Sequence, residues 1–64
     1  MKISVIIPVF NEEKFVLQTL EEVNKQKKNF NLEIIIIDDF STDNSLKIIE
    51  KNSNLFDKFI KNEK

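Results

Sequence analysis

No cysteine, histidine, glycine, tryptophan, tyrosine or arginine occurs in this chain, and proline occurs once. Without Cys or His there is no disulfide framework and no Cys/His zinc site. Neither a Ser-His-Asp nor a Cys-His nucleophile can be assembled. Without Gly there is no P-loop and no Gly-rich dinucleotide fingerprint. Ten Lys stand against eleven acids, a net charge of −1, so there is no basic footprint for nucleic acid. Uninterrupted apolar runs stop at Val5–Phe10 and Ile34–Ile37, far short of the ~20 residues that cross a bilayer. No membrane segment is expected, and no signal peptide, since the strand-like start has no small-residue cleavage site. The cytoplasm is the expected compartment. At 64 residues the chain can make one small domain, which buries only ~60% of the surface its unfolded form exposes.

What is present alternates. Ile3-Ser4-Val5-Ile6-Ile7 is β-branched and nearly all apolar, the pattern of a strand buried on both faces, with regular pairing expected to end near Pro8. Asn11 is the expected N-cap of a helix over about Glu12–Lys28, with Glu12 and Glu13 in its first turn. Val16, Leu20 and Val23 form its apolar stripe, widened by Leu17, and Lys25, Lys27 and Lys28 load its end. Leu32–Asp39 reads as a second strand, because Ile34–Ile37 is too short and too β-branched for a buried helix. Ser41 or Thr42 is expected to cap a helix over about Asp43–Lys51, with Leu46, Ile48 and Ile49 inward. A short third strand is placed near Lys58–Lys61. Phe56 and Phe59 are assigned to the core, and Asn24, Asn29 and Asn31 to the surface.

The order β-α-β-α-β implies an α/β fold with a parallel sheet and right-handed crossovers. If the strands lie in the order 3-2-1, both helices fall on one face, and the opposite face of Ile34–Ile37 meets water. Each exposed large aliphatic forfeits ~1.5–3 kcal/mol of burial. A domain this small has little to spare. More chain, or a partner, is expected to cover that face.

Ligands of open parallel sheets bind beyond the carboxyl ends of the strands. There the first strand delivers Pro8-Val9-Phe10-Asn11-Glu12 and the second Asp38-Asp39. Neighbouring strands lie ~4.8 Å apart, so an aromatic ring, a rigid turn and two carboxylates converge. That set suits a nucleotide base. Phe10 offers a face for stacking, and a carboxylate can accept from the ring N–H of uracil or guanine. Asp38 and Asp39 leave the strand on opposite sides, so one faces the base and the other serves the loop. The plainer reading is that the acid pair only ends a strand and caps a loop.

Ile3–Glu13 followed by Glu33–Asp43 resembles the opening of the family 2 glycosyltransferases, with both motifs in order and suitably separated. The tail Phe56–Lys64 looks most like the third strand of the dolichol-phosphate mannose synthase-like, polyprenyl-phosphate branch. The resemblance implies that residues 1–64 are the N-terminal, incomplete part of such a domain: the βαβαβ, Rossmann-like nucleotide-binding half of a GT-A fold. It implies an inverting transfer from a UDP- or GDP-linked sugar to an acceptor, here a polyprenyl phosphate, with Mg2+ or Mn2+ in the full-length enzyme. By carry-over Pro8 and Phe10 line the base pocket, Glu12 lies near the nucleoside and Asp39 contacts the base, with Asp38 a further candidate. Phe10 stands where Tyr is frequent and Phe40 where Gly is common. The Asp-x-Asp metal motif and the catalytic base lie beyond this length in the family. No catalytic residue and no metal site is therefore assigned to this chain, which is expected to be inactive alone.

Two other readings compete. A receiver-like signalling module also carries paired acids after an apolar strand, but after the first strand and with Mg2+, and it gives Pro8–Asn11 no role. A non-catalytic interaction remnant would fold only against another chain.

Overall fold

A computed structural model of the chain describes residues 1–62. Its elements are β1 (Ile3–Val9), α1 (Val16–Lys25), a 3-10 turn at Gln26–Lys28, β2 (Leu32–Asp39), α2 (Ser45–Lys51), a second 3-10 turn at Ser53–Leu55, and β3 (Lys58–Asn62). The three strands form one parallel sheet in the order β1-β2-β3. The tail likeness noted above reaches Glu63 and Lys64, which lie outside the described residues.

Parity decides which side chains enter the core. Ile7 and Val9 of β1 and Ile34 and Ile36 of β2 point to one face, where they join Val16 and Leu20 of α1 and Ile49 of α2 in a single cluster. Phe59 of β3 packs on its margin and meets Phe56 edge to face, with ring centroids 6.1 Å apart. Both helices therefore cover the same face. The other face carries Ile6, which is 58% exposed, and Ile60, 48% exposed, with Ile35 and Ile37 half-buried between them. The expected bare face is present.

Several expectations need correction. β1 is not buried on both faces, because no helix reaches the side of Ile6. Pairing ends one residue past Pro8, at Val9, as expected, but Pro8 itself stays in register with Ile37. Ile3 donates its N–H toward β2, to Asn31 O at 2.9 Å. Backbone N–H groups alternate in direction along a strand, so the position of Pro8 faces the open edge, where a missing donor costs nothing. Helix α1 begins at Val16 rather than at Glu12, with no side-chain cap. Leu17 lies outside the buried stripe, at 37% exposure. α2 begins at Ser45, and neither Ser41 nor Thr42 caps it. Asn24 is half-buried and donates from Nδ2 to Leu55 O at 3.2 Å, while Lys27 pairs with Asp57 at 3.0 Å.

Candidate nucleoside half-site

The register places Val9 opposite Asp38, so the chain leaves β1 and β2 side by side at their carboxyl ends. The two exit segments are sewn together. Three successive backbone N–H groups of the first, those of Asn11, Glu12 and Glu13, donate to side-chain oxygens of the second: Ser41 Oγ at 3.0 Å, Ser45 Oγ at 2.9 Å and Asp43 Oδ2 at 3.1 Å. The traffic also runs the other way. Asn11 Oδ1 accepts from the N–H of Thr42 at 2.7 Å and of Asp43 at 3.3 Å, and Asn44 Nδ2 donates to Glu13 Oε2 at 3.3 Å. Asp43 Oδ1 also accepts from Ser45 N–H at 2.9 Å, the bond that organises the entry to α2. Burial pushes the Asp43 carboxyl up, but hydrogen bonds from Ser45 and from the Glu13 backbone outweigh it and hold the group below the usual carboxylate range.

Asn11 and Glu12 thus have other partners than those expected of a helix start. Asn11 is no N-cap, and Glu12 and Glu13 precede the first turn of α1. Backbone conformation explains part of this. Asn11 has φ 50° and Phe40 φ 62°, both left-handed. Asn tolerates that region, whereas Phe at this φ carries a penalty of ~1–2 kcal/mol. Phe40 occupies a turn that suits Gly, and its ring is half exposed.

The acid pair divides as alternation requires. Asp38 is fully buried on the helix side, and its Oδ2 accepts from Ser41 N–H at 3.1 Å. Its Oδ1 has no hydrogen-bond partner among the described residues. Asp39 is exposed on the helix-free side, the side of Pro8. Phe10, just past β1, is 58% exposed, and Glu12, two residues on, is exposed as well. Pro8, Phe10, Glu12, Asp38 and Asp39 are all at the carboxyl edge. The first three with Asp39 are open to solvent and Asp38 is not.

Sequence reasoning missed Asn11, Ser41, Asp43 and Ser45 as the elements that join the loops. The signal was the density of Ser, Thr, Asp and Asn between Asp38 and Ser45, together with an Asn at a strand exit. These residues do not fit a divalent cation. Asp38 and Asp39 diverge, and no group of three His, Cys, Asp or Glu side chains that could hold a metal occurs among the described residues. An open, mostly apolar cavity of about 440 Å³ lies at the opposite end of the sheet, lined by Ile3, Val5, Val23, Phe30 and Leu32 together with Glu22 and Gln26. No helix among the described residues is long and apolar enough to cross a membrane.

Known proteins resemble this chain in sequence and in fold. The chain is 43% identical over 61 residues to undecaprenyl-phosphate 4-deoxy-4-formamido-L-arabinose transferase of Proteus mirabilis, covering 92% of this chain and 19% of that protein. It is 44% identical over 57 residues to poly(ribitol-phosphate) beta-N-acetylglucosaminyltransferase TarS of Staphylococcus aureus, covering 84% of this chain and 10% of that protein. A crystal structure of S. aureus TarS 1-349 in complex with UDP superposes with a TM-score of 0.80 at 38% identity, over 98% of this chain and 19% of that one. The chain spans a fifth or less of the length of these relatives. The two named transferases differ in acceptor, and identities of 43% and 44% do not separate them, so no branch is resolved. The superposition fits the α/β, parallel-strand class expected of the GT-A half. The model of glycosyl transferase family 2 matches residues 4–62, and with that match over nearly its whole length the chain belongs to glycosyl transferase family 2.

Proposed function

We propose that the carboxyl edge of β1 and β2 is the nucleoside-binding part of an inverting glycosyltransferase that uses a uridine-diphosphate sugar. The observation that carries this is the pairing of an exposed ring, Phe10, with an exposed carboxylate, Asp39, on two exits locked side by side. Phe10 stacks on the base and Asp39 accepts from the ring N–H of uracil. Pro8 shapes the exit from β1, and Glu12 faces the ribose. Asp38, buried beneath the turn, serves the loop. Uridine is chosen over guanosine because the similar S. aureus structure was solved with UDP.

A diphosphate leaving group develops charge that carboxylates alone would repel. Mg2+ or Mn2+ is therefore implied for the whole enzyme, with ligands other than these residues. For the acceptor we carry a polyprenyl phosphate, on the likeness of the tail and on the Proteus relative named for undecaprenyl phosphate.

The test compares UDP with CDP, whose cytosine ring has an acceptor where uracil has its N–H. Amide shift titrations of the chain should show UDP binding about tenfold or more tighter than CDP, the range of a hydrogen bond to a charged group. Asp39→Asn should erase that preference. Equal affinity for the two, or a preference that survives Asp39→Asn, would contradict the assignment.

A further inference from the structure

Asn11 combines two properties in one residue. Its backbone is left-handed, which turns the chain back toward the β2–α2 loop, and it exchanges hydrogen bonds with that loop through both main chain and side chain. Its N–H donates to Ser41 Oγ at 3.0 Å. Its Oδ1 accepts from Thr42 N–H at 2.7 Å, Asp43 N–H at 3.3 Å and Thr42 Oγ1 at 3.4 Å. Three consecutive residues of one loop are thus tied to one residue of the other. Asn11 is itself exposed, so packing does not hold it there. Its neighbour in sequence is Phe10, and the loop it grips begins at Phe40, next to Asp39.

We infer that Asn11 is the positioning residue of the half-site: it fixes the distance between Phe10 and Asp39 without touching the nucleotide. This rests on the nucleoside reading above. Both properties are required. Ala would lose the acceptor and strain the backbone, Gly would keep the left-handed turn and lose the acceptor, and Asp would keep both. With the clasp open, only a fraction of molecules presents ring and carboxylate together, and the apparent dissociation constant rises by the inverse of that fraction.

The experiment uses the whole chain with UDP as the probe, in salt high enough to screen an added carboxylate. Asn11→Gly and Asn11→Asp are compared with the wild type by amide shifts and by hydrogen exchange. Asn11→Gly should keep the spectral dispersion and core protection of the wild type, lose protection at Thr42 and Asp43, and bind UDP about tenfold or more weakly. Asn11→Asp should restore both, to within about threefold in affinity. Two results would overturn the inference: wild-type UDP affinity in Asn11→Gly despite open Thr42 and Asp43 amides, or amides that stay protected in that variant. Failure of the wild type to bind UDP would instead sink the nucleoside reading. The exchange comparison would still decide whether Asn11 orders the two loops.

Discussion

Asp57 completes the ladder of β2 with its side chain. Its Oδ2 accepts from Ile34 N–H at 2.7 Å, while its own N–H donates to Ile34 O at 2.9 Å. The same carboxylate pairs with Lys27 at 3.0 Å, tying the end of the α1 region to the start of β3. Asp57→Ala leaves the Ile34 N–H without a protein acceptor and should cost about 1–3 kcal/mol in urea unfolding. Lys27→Ala, which removes only a half-exposed ion-pair partner, should cost under about 1 kcal/mol.

Stability should fall in acid, and the sign follows from three carboxylates. The Ile34 N–H, then Lys27, holds the Asp57 carboxyl below its ordinary value. Glu33 is lowered first by the Ser4 hydroxyl, against opposing burial, and then by Lys2 and Lys58. Asp43 is lowered as described above. A group depressed in the folded state contributes stability that is complete above its unfolded value and is lost as pH falls through its folded value. Urea midpoints should therefore be flat above about pH 5 and decline below about pH 4. Asp57→Asn should have a shallower decline.

The face of α1 that counts is narrow. Leu20 is fully buried and Leu17 is 37% exposed. Leu20→Ala should cost about 2–5 kcal/mol, enough to unfold a domain this small, and Leu17→Ala under about 0.5 kcal/mol. Thermal melts of the two variants separate these outcomes.

Phe40 carries a penalty at φ 62° that Gly would not. Phe40→Gly should raise stability by about 0.5–1 kcal/mol, the relief of strain less the added flexibility of Gly in the unfolded chain. Phe40→Val should lower it, because a β-branched residue suits this region least. Chemical denaturation measures both.

Period and composition made the strands legible. The β-branched run Ile34–Ile37 leaves no helical alternative, and β2 occupies Leu32–Asp39 as expected. The bare face also followed from the sequence, since a β-α-β-α-β order with consecutive neighbours puts both helices on one side. Helix starts were not legible. Asn11 and Ser41 have the chemistry of caps, but in each the capping atoms bond to the other loop, a partner about thirty residues away that local spacing does not reveal. The continuation of β1 through Pro8 depended on which way the proline nitrogen faces, and that is set by the pairing phase rather than by the proline. For the site, the aromatic and the acid pair could be read directly. The clasp that sets their spacing could not.

An amide shift titration of the 64-residue chain with UDP at millimolar concentration shows directly whether the carboxyl edge holds a nucleoside. Saturable shifts are expected, confined to Val9–Glu12 and Asp38–Ser41 at the carboxyl edge of β1 and β2. A well-dispersed spectrum that does not move, or shifts that gather around Val23, Phe30 and Leu32 at the other end of the sheet, would contradict the nucleoside reading.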